Sequence, residues 1–145
     1  MKLPEYISKA EVKRVCKELG LRDWSILREI AVTKKEAAAI LKAVNVKGMP
    51  VPLEVFKQGI EVELEHGTRF EDANVTNNHP LLTGMIVLAH LKETMDYYER
   101  LEVAEIEGDL LKAVVTKNLK KIEEKYKKLI KAQNLLNRAV ATQIK

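Results

Sequence analysis

The chain is nearly without cysteine: Cys16 stands alone, so it can form no disulfide within the chain and no multi-cysteine zinc cage. On a helix this thiol reads as a small core residue. Proline and glycine are scarce, at four and six residues, and aromatics make up 5%, a balance that favours helix over sheet. Long apolar runs are missing too. The longest, "LLTGMIVLAHL" from Leu81 to Leu91, is too short to cross a bilayer and contains His90, so it reads as a buried helix. The opening residues, "MKLPEYISKAE", have no apolar h-region, so nothing suggests secretion and a cytoplasmic location is expected. No nucleophile motif, phosphate loop or organic-cofactor fingerprint indicates a substrate, and enzymatic activity is left undecided.

What is present suits one water-soluble helical domain. Its 145 residues can bury a core, and they are 46% hydrophobic and 32% charged. The net charge of +4 conceals a division. From Lys112 to Lys145 ten bases face two acids, Glu123 and Glu124, while the other 111 residues hold 15 bases and 19 acids. The two parts attract each other, or the basic part attracts something else.

Ser8 with Glu11 reads as a capping box, followed by an apolar stripe of Val12, Val15, Cys16 and Leu19 and a left-handed stop at Gly20. Thr33 with Glu36 repeats the device at an offset of 25 residues, which is local architecture and no solenoid. Between them Asp23 or Ser25 caps a short helix containing Trp24, a core residue. "VKGMPVP" (Val46 to Pro52) is a turn. One helix is expected from about Leu53 to about His66. Asn78 is a credible N-cap for the next, from about Pro80 to about Glu107, with a break at Gly108 and Asp109. A last helix continues to the C-terminus. The expected fold is an all-α helical bundle, a single domain over 1–145 with N-terminal helical units (1–50), a central helix pair (51–109) and a basic amphipathic C-terminal helix (110–145).

The C-terminal helix carries a heptad pattern, with Val115, Leu119, Ile122, Tyr126, Leu129, Gln133, Leu136 and Val140 at alternating spacings of four and three. The seam can pack within the chain's own bundle or against another copy; a homo-oligomer through Val115, Leu119, Ile122, Tyr126, Leu129, Leu136 and Val140 is expected. Its outward Lys and Arg residues suit a solvated face. Nucleic acid is the minority reading, because no aromatic interleaving accompanies them.

The central helices carry the chemistry. On the first, i, i+3 spacing puts Glu63 and His66 on one face, with Gly59 a turn earlier; on the second it pairs His90 with Glu93, and Tyr97 follows one turn on. Antiparallel packing would converge two imidazoles and two carboxylates, a donor set suited to iron, manganese or zinc, with Tyr97 behind the ligands. The two halves could also meet across a dimer axis. A buried His and Glu that satisfy each other by hydrogen bond form the non-metal alternative. Glu61 and Glu65 lie on another face and are expected in solvent, and His79 reads as a surface residue.

The stretches "EVFKQGIEVELEHG", "NVTNNHPLLTG" and "VLAHLKETMDYYERLEVAE" together resemble an uncharacterised small-protein family of bacteria, archaea and phages. The resemblance covers about Lys35 to Glu105 and leaves out Leu3 to Ile30 and the basic C-terminal helix. Its signature positions correspond to Gly59, Glu63, Glu65, His66, His90, Glu93, Tyr97 and Tyr98. Met95 stands where the family pattern has proline, which removes a helix-start signal before Asp96. The resemblance implies a helical fold and supplies no activity. Two functional expectations follow: a ferritin-like metal-binding protein with Glu63, His66, His90 and Glu93 as ligands, or a non-enzymatic, phage-related assembly protein acting through its C-terminal helix by oligomerisation or on an acidic partner.

Overall fold

Ser8 opens the first helix by accepting the Glu11 N–H at 3.2 Å, in a computed structural model that describes residues 7–144. Six α-helices make up most of the described chain: α1 (Lys9–Leu19), α2 (Lys34–Val44), α3 (Leu53–Arg69), α4 (Pro80–Glu93), α5 (Tyr97–Val115) and α6 (Leu119–Gln143). Two 3-10 turns, Trp24–Ile26 and Glu71–Ala73, complete the described helical elements, and no strand occurs among the described residues. The all-α expectation holds. The contacts divide the chain into two compact units, one ending at Lys92 and the other beginning at Glu93.

The first unit is built on its caps. Gly20 takes the left-handed conformation after α1, and Gly20 and Leu21 donate back to Lys17 and Cys16, closing the last turn. Only half of the first capping box forms: Ser8 caps Glu11, but the Glu11 carboxylate turns to Arg14 instead. At α2 the box is complete. Glu36 accepts from the Thr33 N–H and hydroxyl, both at 2.9 Å, while Thr33 accepts from the Glu36 N–H. The same buried carboxylate also takes a forked contact from the Arg22 guanidinium (2.9 and 3.1 Å) and the Trp24 indole N–H at 3.4 Å. Burial works to raise the Glu36 pKa, and the Arg22 and Thr33 hydrogen bonds overcome it, leaving the group at about 2.

Trp24 and Cys16 are buried as expected, and Asp23 caps the single turn that follows it. Glu61 departs from expectation. It is half-buried, accepts the Val32 N–H at 2.8 Å and holds Lys57 at 2.6 Å, so it fastens the extended segment before α2 to α3. Gly84 marks a close approach in the apolar core of this unit: a Cβ there would meet Ile40 at 2.6 Å and Phe56 at 3.3 Å.

The second unit is a helical hairpin. Ile106 of α5 and Leu129 and Ala132 of α6 form its core, with Val103 and Leu110 against them. Three expected boundaries change here. The helix from Pro80 ends at Glu93, where the Thr94 hydroxyl turns to the Asp96 carboxylate, which also holds Arg100 at 3.0 and 2.8 Å; such short polar side chains compete with the helical ladder. Gly108 breaks nothing, because the stripe Val103, Ile106, Leu110 and Ala113 carries α5 through it and glycine in a helix costs only about 1 kcal/mol. The true interruption is at 116–118. There Lys117 adopts the left-handed conformation, with Lys117 donating to Val114 and Asn118 to Ala113.

That turn also splits the predicted heptad seam. Val115 ends α5 and Leu119 begins α6, so they cannot continue one stripe; Leu129 is buried in the hairpin, whereas Leu119 and Tyr126 lie in water.

Candidate functional site

Two of the four predicted ligands meet. Glu63 on α3 and His90 on α4 approach to 3.2 Å, Oε1 to Nδ1, with both side chains largely withdrawn from solvent. His66 sits one turn beyond Glu63, and the two line a cavity of about 220 Å³ bounded also by Phe70, Asn74, Val75 and Ile86. Ile86 of α4 lines the same cavity as Glu63 and His66, and His90, one turn further along α4, reaches Glu63. The register differs from a simple stacking of helix ends, which would carry His90 past His66. Glu93 closes α4 with an exposed side chain. Tyr97 begins α5, its ring edge-on to Tyr98 at 5.3 Å. Among the described residues no group of three or more His, Cys, Asp or Glu side chains comes together as a metal ion requires. Within one chain the arrangement is a carboxylate–imidazole pair beside a small cavity.

The loop after α3 shows what the asparagines do. Asn74 donates through Nδ2 to the Gly67 carbonyl and to Asn78 Oδ1, each at 2.9 Å, and accepts from the Thr76 hydroxyl at 3.2 Å. Asn77 and Asn78 both adopt positive φ, which asparagine tolerates better than most residues. Gly67 is required by the same contact: a Cβ there would collide with Asn74 and Asn78. "EHG" and "NVTNN" are therefore one structural device that folds the exit of α3 over the cavity. The spacing alone did not reveal it.

His79, expected at the surface, is buried. It replaces Asn78 as the N-cap of α4: its carbonyl accepts from Thr83 at 2.9 Å and its Nδ1 from the Leu82 N–H at 3.4 Å, with Pro80 at the first helical position. An accepting Nδ1 requires the neutral ring, and burial lowers its pKa below 6.5.

A second candidate lies on the hairpin. Leu111, Val114 and Val115 of α5 and Leu119, Tyr126 and Ile130 of α6 range from 49% exposed at Ile130 to 80% at Leu119. Charge is concentrated elsewhere on this unit, where Asp109 holds Lys125 at 2.6 Å and Lys112 at 3.3 Å around a cleft that also includes Lys121 and Glu124. Among the described residues no helix is long and apolar enough to cross a membrane.

The described residues form an all-helical protein of six α-helices. The chain belongs to the family described as "Protein of unknown function (DUF5661)", whose model matches residues 12–107. The match takes in most of α1, which the resemblance had left outside, and stops within α5. No curated protein and no solved structure matches the chain.

Proposed function

We propose that this protein is a non-enzymatic helical assembly protein that associates with copies of itself through the apolar face of its C-terminal hairpin. One observation carries the reading: six large apolar side chains on α5 and α6 are about half or more in water. Together they expose on the order of 600 Å², at the upper end of the roughly 300–600 Å² that the largest apolar patch of a monomer occupies, where such patches often serve as interaction sites. A two-helix unit has one inner stripe per helix, and here that stripe is already used by Val103, Ile106, Leu110, Leu129 and Ala132. The outer stripe is left for another surface. Sedimentation velocity over a concentration series tests this. Association that Leu119→Lys with Tyr126→Glu abolishes is the expected result, and a monomer at all concentrations rejects it.

The Glu63–His90 contact favours a second reading, in which α3 and α4 offer part of a divalent-metal site with His66 and Glu93 as further ligands. Elemental analysis of protein purified without added metal decides it. At least about one equivalent per site, lost in Glu63→Gln with His90→Ala, supports the site; under about 0.1 equivalent, with no loss of stability on chelation, removes it.

A further inference from the structure

The two helices of the hairpin differ in charge as well as sequence. From Tyr97 to Val115, α5 carries five acids (Glu99, Glu102, Glu105, Glu107, Asp109) against two bases, Arg100 and Lys112. From Leu119 to Gln143, α6 carries seven bases against two acids, Glu123 and Glu124. The hairpin therefore presents an acidic rod beside a basic one. At about 3.6 residues per turn, Leu111 and Val114 of α5 and Leu119, Tyr126 and Ile130 of α6 all fall on the same side of the plane that contains both helices. Asp109, Lys121 and Lys128 fall on the other side. Next to the 116–118 turn this face is apolar across both rods, and further from the turn Glu107, Gln133 and Asn137 fall on it.

Resting on the self-association proposed above, we infer that the occupant of this face is a single second copy, placed by a two-fold axis parallel to the helices so that α5 of each chain lies against α6 of the other. Three physical arguments select this geometry. First, a two-fold brings the same apolar face of both copies together and closes the assembly at two. Second, facing α5 to α6 sets net negative against net positive in both halves, whereas α5 on α5 and α6 on α6 would oppose like charges. Third, with both 116–118 turns at the same end, every neighbouring pair in the resulting four-helix bundle is antiparallel, which aligns the helix dipoles favourably. The buried area also fits. An apolar patch on the order of 600 Å² per copy, with a polar rim around it, approaches the roughly 800 Å² per partner of a standard stable interface.

Mixed disulfide trapping on the full chain tests the arrangement. Two single variants are prepared, Leu111→Cys and Tyr126→Cys, both at exposed positions that leave the core intact; the native Cys16 is buried and serves as the wild-type control. Oxidation of an equal mixture is expected to yield chiefly the Leu111→Cys/Tyr126→Cys heterodimer, several-fold above either homodimer, and light scattering of the wild type should give about 33 kDa, twice the 16.5 kDa of one chain. Dimers in which the homodimeric cross-links dominate, or in which all three species form in random proportion, overturn the α5-on-α6 packing while leaving self-association intact. A particle larger than a dimer overturns the closed two-fold. A monomer overturns both this inference and the reading it rests on.

Discussion

The N-terminal unit and the C-terminal hairpin handle their side chains in opposite ways. In the first, buried polar groups find partners inside the unit: Glu36 gathers Arg22, Trp24 and Thr33, His79 caps α4, and Glu63 meets His90. Trp24, Ile40, Phe56 and Ile60 are almost wholly buried, and the large apolar residues it does expose, Ile26, Val46, Phe70, Val75 and Met85, lie on turns, loops and α4 and not along one helix pair. Along α5 and α6 ion pairs such as Asp109–Lys125 and Glu123–Lys127 lie toward the surface, and apolar side chains as large as Leu119 and Tyr126 stay in water. The difference follows from geometry. Several short helices at varied angles can enclose a core, whereas two long ones bury only the stripe between them. Self-sufficiency in one region and an unsatisfied face in the other are what an assembly role requires.

The largest expected effect breaks the contrast on the hairpin side. Leu119→Lys with Tyr126→Glu should raise the dimer dissociation constant by about 100-fold or more, since central interface anchors each contribute about 2 kcal/mol or above. Sedimentation equilibrium measures it, and circular dichroism should show the helices unchanged. Next in size is the polar centre of the N-terminal unit. Glu36→Ala removes the capping box and strands Arg22 and Trp24, and should cost about 2–3 kcal/mol in urea denaturation.

The pH response sharpens the same point. Glu36, held at about 2 against an ordinary 4.5, contributes stability that is full above about pH 4.5 and is lost as the pH falls toward 2. His79 acts earlier: with its pKa lowered from 6.5, protonation favours the unfolded chain, so stability declines as the pH drops below about 6.5. Thermal melts from pH 7 to pH 3 should show the first decline weakened in His79→Asn and the second weakened in Glu36→Gln, which begins from a lower stability and keeps the smaller acid response of groups such as Asp96.

Gly84→Val fills space already taken by Ile40 and Phe56 and should destabilise the N-terminal unit by about 1–3 kcal/mol. The smallest effect runs the other way. Lys117→Gly relieves a left-handed lysine in the hairpin turn and should stabilise by about 0.5–1 kcal/mol, read as a shift of the denaturation midpoint without a change of slope.

Local signals carried much of this fold. Ser8, Asp23, Thr33 and Gly20 act where their side chains or conformations predict, and of the four residues singled out on the central helices Glu63 and His90 come into contact. The boundaries that sequence reasoning missed depend on contacts spread along the chain. Asp96 ends a run whose apolar periodicity continues past it, and Lys117 turns the chain without the glycine that marks such turns. At the candidate site, His79 reads as a surface residue and Asn74 carries no signal of its own, because their partners, the α4 backbone and Gly67, are fixed only by the fold. The charge division was visible in composition; that it separates two paired helices required the turn at 116–118.

The central claim is that the hairpin's apolar face is covered in solution. Carbene footprinting of the wild-type chain across a dilution series tests it most directly, with exposed Ile26 as an internal reference. The account predicts that labelling at Leu119 and Tyr126 falls as concentration rises while Ile26 is unchanged; equal labelling of all three at every concentration would contradict it.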